Sequence, residues 1–350
     1  MLEEVILAAP VRTPIGRFGG ALAKVDAAAI GGFTVRAVLD RAGIRPEHVD
    51  EVIIGNARQA GGGPNIARQI AHNSGIPDTV PAYTVNQACA SGLRAVINAY
   101  QSILLQESRV ALAGGVESMS RLPYFLREAR FGQRMGHIDL VDGMYQDGFF
   151  CPLCGVLMGE TAENLAEPFG ITREEQDRYA AESQQRCERA RGRGDFVDEI
   201  VPIDLPDGRG GRTRFHEDEH PRGGVTEKNL SRLPPVFREG GTVHAGNSSG
   251  ITDGAAAVLV ASRAAAESLR LKPMARILDH CTAGVDPARM GLGPVPAIRT
   301  LLDRTGLSLE EIDLIELNEA FAVQVLACQR ELGLDLSRVN VNGGAIALGH

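Results

Sequence analysis

A cysteine followed by small residues stands in the segment VNQACASGLRAV, residues 85–96. This pattern predicts a strand that leads into Cys89 and a helix that starts there. A thiol at the amino end of a helix lies in the positive end of the helix dipole, which lowers its pKa and favours the nucleophilic thiolate. The small residues at 90–92 leave room for a bulky electrophile, and their backbone N–H groups can bind an oxyanion. Taken alone, the segment fits a buried structural cysteine equally well.

Two later segments carry polar groups suited to the same chemistry. In NEAF, residues 318–321, the amide of Asn318 can hold a water or a carbonyl oxygen without a change of charge. A helix N-cap is the alternative role for this asparagine. In VNVNGGAIALGH, residues 339–350, the glycines allow close backbone approach to His350. A histidine beside a cysteine accepts its proton and later stabilises an oxyanion, whereas a solvent-exposed terminal histidine would do neither.

A second cysteine motif is assigned no role. Cys151 and Cys154 have the CxxC spacing of zinc sites and redox motifs. A structural zinc ion needs four ligands, and no second pair with suitable spacing is nearby. A redox role needs a thioredoxin-like context that the neighbouring sequence lacks.

Strand and helix patterns alternate around the first cysteine segment. Small apolar residues at helical spacing predict a helix at 27–42, which Gly43 ends. Strands separated by helices predict an α/β sheet that is buried on both faces. The predicted strands are 5–9, 49–55, 79–87 and 109–114, and the helix after the third strand spans 88–106.

Residues 120–245 have a different composition, with charge runs and prolines. One helix is clear at 172–191, with Thr172 as N-cap and Glu175 at the capping-box position. We interpret this region as a large insertion over an α/β core, because the strand–helix alternation returns after Thr252.

The chain also contains an internal repeat. GIRPEHVDEVIIGN begins at Gly43 and GLSLEEIDLIELNE begins at Gly306, an offset of 263 residues. Both copies predict a short helical turn that leads into a buried strand. Val85-Asn86 before Cys89 likewise resembles Val339-Asn340 before the second glycine run. The matches favour duplication over chance similarity.

Bulk composition excludes several classes of protein. The net charge is −8, which argues against general binding to nucleic acid or acidic membranes. No apolar run approaches the roughly 20 residues that span a bilayer, and the first residues do not form a signal-peptide pattern. The six cysteines are scattered, as is usual in a reducing cytosol. We expect a cytoplasmic protein with neither nucleic-acid nor membrane partners.

Five segments resemble the signature segments of the thiolase family, in the family's order and over nearly the whole chain. They are VNQACASG (85–92), GGVESMS (114–120), AGNSSGITDGAAA (245–257), NEAF (318–321) and NGGAIALGH (342–350). The resemblance implies an α/β fold with a five-layered αβαβα core. Two duplicated βαβαβαββ halves form this core, and an inserted loop domain binds coenzyme A. We expect the N-terminal half at 1–119, the loop domain at 120–245 and an incomplete C-terminal half at 246–350.

The resemblance also implies roles for individual residues. Cys89 matches the nucleophile that carries the acyl group, and its backbone N–H matches half of an oxyanion site. His350 matches the base that activates Cys89. His350 together with a water held by Asn318 matches a second oxyanion site, which binds the thioester. Ser249 matches the residue that contacts the pantetheine arm. The other expected substrate contacts are Met290 and Leu157 for the acyl group, and Phe237, Ala245, Arg222 and Phe321.

The implied activity is that of an acetyl-CoA C-acetyltransferase that works by ping-pong acyl transfer through acyl-Cys89. It condenses acetyl-CoA or cleaves 3-ketoacyl-CoA, with coenzyme A as substrate and no metal or other cofactor. The resemblance also implies a homodimer or homotetramer. Acetoacetyl-specific members often have histidine where this chain has Leu157, so a degradative, longer-chain 3-ketoacyl-CoA thiolase is the first alternative.

Two further alternatives follow from the same segments. A 3-ketoacyl carrier-protein synthase has a related fold but uses a second histidine where Asn318 stands, which favours thiolase. A non-catalytic acyl-CoA-binding subunit is the other, because the family pattern continues past His350 with a glycine-rich strand that bears an acid/base cysteine. We therefore expect a natural chain to continue beyond His350, and these 350 residues alone to be unstable or inactive.

Overall fold

The computed structural model describes residues 3–208 and 210–350. Its strands are β1 (Val5–Arg12), β2 (Gly16–Arg17), β3 (Glu51–Gly55), β4 (Ala82–Val85), β5 (Val110–Ser118), β6 (Tyr124–Phe125), β7 (Val141–Asp142), β8 (Phe150–Cys151), β9 (Val156–Leu157), β10 (Ile203–Pro206), β11 (Arg212–Phe215), β12 (Thr252–Ser262) and β13 (Pro273–Arg276). Its α-helices are α1 (Ala27–Ala42), α2 (Ile66–Asn73), α3 (Ser91–Leu104), α4 (Met158–Ala166), α5 (Arg173–Arg193), α6 (Glu227–Leu230), α7 (Arg263–Ser268), α8 (Pro294–Thr305), α9 (Ala322–Leu332) and α10 (Ala345–Leu348).

The chain divides into two compact units. The first unit comprises Met1–Pro123, Val197–Glu219 and Thr252–Leu278. The second comprises Tyr124–Phe196, His220–Ile251 and Asp279–His350. Each unit is therefore built from segments that are distant in the sequence. Within the described residues, no helix combines the length and apolar character that crossing a membrane requires.

A mixed sheet forms the centre of the first unit. Its strand order is β13-β1-β12-β5-β3-β4, and β2 pairs with β12. β12 is antiparallel to β1 and β5, whereas β3 is parallel to β5 and β4. The parallel strands are those that α2 and α3 connect, as crossover connections require. A Cβ atom on Gly114 of β5 would lie 2.3 Å from the backbone oxygen of Ala256 in β12, so the small residues here serve close strand approach.

Helices cover both faces of this sheet, as the sequence predicts. Val52 and Ile54 of β3 belong to the same buried cluster as Ile30 of α1 and Ile70 of α2. Ile53, which points to the opposite face, packs in another cluster with Ala95 and Ile103 of α3. The predicted helix at 27–42 is confirmed as α1, and Gly43 ends it in the left-handed conformation, at φ 66°.

Helices dominate the second unit. α4, α5 and α9 supply most of its apolar cluster, including Leu165, Ala180 and Val325. The predicted capping box of α5 is confirmed, because the Thr172 side chain accepts a hydrogen bond from Glu175 N–H and the Glu175 side chain accepts from Thr172 N–H. α5 continues to Arg193, two residues beyond the predicted end, and Gly194 terminates it.

The three predicted segments differ from the observed units at the boundary set at residue 246. β12 and β13, which that boundary assigns to the C-terminal half, pair with β5 and β1 of the first unit. The central place of β12 explains the difference. β12 pairs with β5 at nine positions and therefore packs in the first unit, although β5 lies far away in the sequence. Otherwise the three-part division remains a prediction.

The two copies of the repeat form matching elements. Gly43 and Gly306 both end helices with positive φ, and a short 3-10 turn follows each at the same offset, Pro46–His48 and Leu309–Glu311. The strand segment of the second copy makes one isolated parallel bridge, Ile315 with Val339. In the first copy the parallel pair β3–β4 gains support from β5 and β12. No counterpart of those two strands occurs in the described residues of the second unit.

Candidate active site

Cys89 lies in a tight turn between β4 and α3, and its side chain is exposed. Ala88 adopts the left-handed conformation at φ 48°, which is uncommon for a residue with a Cβ atom. Its N–H donates to Asn86 Oδ1 at 2.9 Å. The Ser91 hydroxyl donates to Ala88 O at 2.6 Å and accepts from Gln87 N–H at 2.8 Å. These bonds hold the strained backbone in place, which is typical of preorganised functional turns.

Glycines bring the start of α3 directly onto the sheet. A Cβ atom at Gly55 of β3 would lie 2.2 Å from the carbonyl carbon of Ser91. One at Gly115 of β5 would lie 3.1 Å from Gly92 Cα. The helix begins at Ser91, three residues later than predicted, so Cys89 lies just before its first turn. The position near the positive end of the helix dipole therefore agrees with the prediction from the sequence.

Asn318 and His350 lie together in the second unit. His350 Nδ1 is 3.0 Å from Asn318 Oδ1, and both residues are exposed. An amide oxygen only accepts, so Nδ1 carries the proton and Nε2 of the neutral ring is the nitrogen that accepts one. Asn318 is not a helix N-cap, because α9 begins at Ala322 and Phe321 caps it.

The AGNSSG segment passes beside this pair. Ser249 N–H donates to Ala320 O at 3.0 Å, and the N–H of Ala322 donates to Asn247 O at 2.9 Å. The His350 N–H donates to Gly250 O at 3.1 Å. The segment that carries Ser249 is thus tied by backbone bonds to both the NEAF segment and His350.

Two buried carboxylates anchor the chain that leads into AGNSSG. Glu163 accepts from the N–H groups of Thr242 and Val243. Asp177 accepts from His244 Nε2 at 2.6 Å and also from Asn247 Nδ2. Burial alone would raise the pKa of the Asp177 carboxyl, but hydrogen bonds from His244 and Arg173 outweigh it and hold the pKa below its usual value.

Two aromatic side chains meet beside these segments. The Phe237 and Phe321 rings have centroids 6.1 Å apart at 89°, an edge-to-face contact. A Cβ atom at Gly159 of α4 would lie 2.3 Å from the Phe237 ring, so this glycine admits the ring. The structure therefore brings Phe237 and Phe321 together, and their role in substrate binding remains a prediction.

The two residues predicted to line the acyl pocket lie on elements joined to each other. Leu157 is the N-cap of α4, and Met290 is in the 3-10 segment Pro287–Leu292. Asn164 of α4 donates to Ala288 O at 3.0 Å and joins the two elements. Both Leu157 and Met290 are half-buried.

Other predicted residues are less closely joined to this group. Ala245 and Arg222 are exposed, and Arg222 is fixed by its backbone N–H, which donates to Gln184 Oε1 at 3.1 Å.

Cys151 is buried and Cys154 half-buried, at the turn between β8 and β9. Among the described residues, no group of three or more His, Cys, Asp or Glu side chains is suited to a metal ion.

Sequence reasoning missed the groups that hold the segment before His350. Gln184 Nε2 donates to Ile346 O at 3.1 Å, and His220 Nδ1 donates to Ala347 O at 2.8 Å. Burial lowers the pKa of His220, which favours the neutral ring as the donor. Glu319 accepts from Ile346 N–H at 3.0 Å. The signal was present only for Glu319, as a charged residue inside NEAF at the end of an apolar strand.

Comparison with known proteins gives a consistent assignment. The thiolase N-terminal domain model matches residues 5–264, and the thiolase C-terminal domain model matches residues 271–350. An acetyl-CoA acetyltransferase of Pseudomonas aeruginosa is 51% identical over 349 residues, which cover 100% of this chain and 89% of that protein.

Solved structures agree with these matches. The acetyl-CoA acetyltransferase of Bacillus anthracis has a TM-score of 0.97 at 45% identity, with 100% of this chain and 88% of that chain covered. Human mitochondrial 3-ketoacyl-CoA thiolase in complex with CoA has a TM-score of 0.95 at 44% identity, with 100% and 87% covered. The expected fold is confirmed, and the chain belongs to the thiolase family of acyltransferases.

Proposed function

We propose that this protein is an acetyl-CoA C-acetyltransferase that carries the acyl group on Cys89. The observation that carries the proposal is the Asn318–His350 pair at 3.0 Å, because it fixes the tautomer in which His350 Nε2 accepts a proton. The names of the relatives, acetyl-CoA acetyltransferase and 3-ketoacyl-CoA thiolase, support the same class of reaction.

In the first half-reaction, His350 takes the proton of Cys89 and the thiolate attacks the carbonyl carbon of an acyl-CoA. The carbon–sulfur bond to coenzyme A breaks, and coenzyme A leaves with a proton as acyl-Cys89 forms. His350 Nε2–H and a water on Asn318 form the oxyanion site for a thioester substrate. The Cys89 N–H contributes to another at the acyl-enzyme carbonyl.

In the second half-reaction, acetyl-CoA gives an α-proton to a general base, and its carbanion attacks the carbonyl carbon of acyl-Cys89. A carbon–carbon bond forms as the bond to sulfur breaks, and the released Cys89 thiolate takes up the proton. The reverse sequence is thiolysis of a 3-ketoacyl-CoA by coenzyme A. The covalent intermediate predicts ping-pong kinetics in both directions.

Leu157 favours a second candidate within the same class, a degradative thiolase for longer 3-ketoacyl-CoA. It is an apolar side chain at the N-cap of α4, where acetoacetyl-specific members often place a histidine. An apolar wall suits an alkyl chain and offers no hydrogen bond to a short polar acyl group. Relative rates with acetoacetyl-CoA and longer 3-ketoacyl-CoA separate the two candidates.

The cellular location, the metabolic role and the oligomeric state are also proposals. We place the protein in the cytoplasm, in fatty acid metabolism, as a homodimer or homotetramer. The scattered cysteines, which are usual in a reducing cytosol, support the location. Exposed apolar side chains in the second unit, such as Phe131 and Met135 at 91% and 89% exposure, favour a contact between protein chains.

The test is acetyl transfer to a defined thiol. After treatment with acetyl-CoA, peptide mapping should place the acetyl group on Cys89, and Cys89→Ser should abolish both this labelling and thiolysis. Serine fails because its hydroxyl is far less acidic than a thiol. Cys281→Ser, at another thiol that is not buried, is the matched control and should retain both activities. Acetylation at another residue would refute the assignment, and binding without acetylation would indicate a non-catalytic subunit.

A further inference from the structure

Glu319 is a buried carboxylate next to the proposed oxyanion residue Asn318. Its relative exposure is 1%, and four groups donate hydrogen bonds to it. Oε1 accepts from the Tyr179 hydroxyl at 2.8 Å and from Asn340 Nδ2 at 3.0 Å. Oε2 accepts from the Ser183 hydroxyl at 2.7 Å and from Ile346 N–H at 3.0 Å. Since every partner donates, the site is built for an ionised carboxylate.

The partners belong to separate segments of the second unit. Tyr179 and Ser183 project from α5, one turn apart. Asn340 directly follows Val339, which forms the parallel bridge with Ile315. Ile346 lies in α10, four residues before His350. Ser183 also accepts from Gly344 N–H at 3.2 Å. The Glu319 side chain therefore connects the NEAF segment to α5 and to the segment that carries His350.

A glycine leaves the space that this carboxylate occupies. A Cβ atom at Gly344 would lie 2.4 Å from the carboxyl carbon of Glu319, so only glycine allows the observed approach. Burial raises the pKa of Tyr179 and the neighbouring Glu319 charge raises it further, which keeps the tyrosine hydroxyl a donor.

The two copies of the repeat carry different side chains at the position of Glu319. Glu319 is the last residue of the second copy, and the corresponding residue of the first copy is Asn56. Asn56 is buried, and its amide donates to Val116 O and Glu117 Oε1. A neutral side chain therefore serves the same place in the repeated unit. Burying a charge is costly even when it is hydrogen-bonded, so its presence in the second copy calls for another reason.

We infer that Glu319 is a positioning residue that sets the distance and orientation of His350 relative to Asn318. Glu319 is covalently adjacent to Asn318 and hydrogen-bonded to α10 before His350, so it connects the two members of the pair by a short, rigid route. This inference rests on the proposed function, since it concerns the groups assigned to acyl transfer. Its structural part, the orientation of the His350 ring, does not depend on activity.

Glutamine at this position should break the connection while preserving size. An amide presents NH₂ on one side, which must face either Ile346 N–H or Asn340 Nδ2. Neither of these donors can reverse. Ile346 contributes a backbone amide, and Asn340 Oδ1 is already engaged with Leu317 N–H at 2.9 Å. One donor–donor clash is therefore unavoidable in Glu319→Gln.

The experiment compares three variants with the wild type in thiolysis and in NMR spectra of the His350 imidazole. Glu319→Gln should lower kcat by about 100-fold, the effect of a displacement of roughly 1 Å, with little change in KM for the CoA substrates. Ser183→Ala removes a partner on the Ile346 side and should give a smaller loss in kcat. Tyr145→Phe removes an exposed tyrosine hydroxyl elsewhere in the second unit and is the control, with kcat at the wild-type value.

The outcomes are distinct. Shifted His350 resonances in Glu319→Gln and Ser183→Ala, but not in Tyr145→Phe, support the positioning role, and Ser183→Ala supplies this readout if Glu319→Gln does not fold. Wild-type kcat and unshifted resonances in a folded Glu319→Gln would overturn it. Equal losses in all three variants, matched by equal losses in thermal stability, would also overturn it in favour of a purely structural role. A folded wild type that is not acetylated on Cys89 by acetyl-CoA contradicts the proposed function instead, and the resonances still decide the inference.

Discussion

Met290 shows how a single side chain could set substrate preference. It is half-buried in the segment Pro287–Leu292, packed against the apolar cluster of the second unit. The hydrogen bond from Asn164 to Ala288 holds this segment to α4, whose N-cap is Leu157. Both side chains are apolar, and we predict that they narrow the acyl pocket from two sides.

Met290→Ala should therefore raise activity on branched or longer 3-ketoacyl-CoA relative to acetoacetyl-CoA. The relief of a steric conflict of about one methylene contributes roughly 1–3 kcal/mol to discrimination. The measurement is kcat/KM for a series of chain lengths. Met274→Ala is the control, because that side chain is 73% exposed on β13 in the first unit. An unchanged substrate profile in Met290→Ala would show that Met290 does not line the pocket.

At the scale of elements, the placement of Cys89 depends on how closely α3 approaches the sheet. The helix start lies against Gly55 of β3 and Gly115 of β5, where no side chain separates the two backbones. The turn at Ala88 then projects Cys89 from the carboxyl end of β4. A strand, a strained turn and a helix therefore act together to present one thiol.

Gly55→Ala should disturb this arrangement. Its Cβ atom would lie 2.2 Å from the Ser91 carbonyl carbon, and backbone on both sides must move. We expect a loss in the free energy of unfolding of about 1–3 kcal/mol, as for other overpacked sites, and slower alkylation of Cys89 by iodoacetamide.

Gly284→Ala is the control for this substitution, because its Cβ atom would meet nothing within 4 Å and no positive φ is required. Denaturant unfolding and the alkylation rate check both variants. Equal values in Gly55→Ala and wild type would mean that α3 can shift at little cost.

At the scale of the whole molecule, the second unit depends on buried negative charge. Glu163, Asp177 and Glu319 are 4%, 2% and 1% exposed, and each accepts several hydrogen bonds. These carboxylates fix the AGNSSG segment and the turn before His350. For Asp177, whose pKa is lowered by its hydrogen bonds, this ties the order of the AGNSSG segment to the ionisation of the carboxylate.

Asp177→Asn tests this dependence on pH. The pKa of Asp177 in the folded protein lies below the ordinary value of about 4, so its stabilising contribution is complete above that pH and is lost as the pH falls through the folded-state pKa. Near neutral pH the variant should lose roughly 3–5 kcal/mol, because Arg173 and His244 lose a charged partner.

The difference between wild type and Asp177→Asn should then shrink in acid, which thermal midpoints across a pH series can show. Asp198→Asn is the control at an exposed carboxylate. A constant difference between wild type and Asp177→Asn at every pH would contradict the assignment.

The sequence by itself determined those features whose signals are local. α1 with Gly43, and the capping box of Thr172 and Glu175, were predictable because each lies within a few residues of its partner. The position of Cys89 before a helix followed from the small residues after it. The repeat was visible because both copies preserve the glycine and the turn that precede the strand.

Only the tertiary structure decided which distant segments meet. β12 lies between β1 and β5, although 133 positions separate Ser120 from its hydrogen-bonded partner Asp253 in β12. Likewise, Glu319 gains its partners on α5 from residues 136 and 140 positions earlier. A carboxylate beside Asn318 is equally compatible, in sequence, with an exposed side chain. Its burial and its four donors depend on the packing of α5 and α10, and no local pattern encodes that packing.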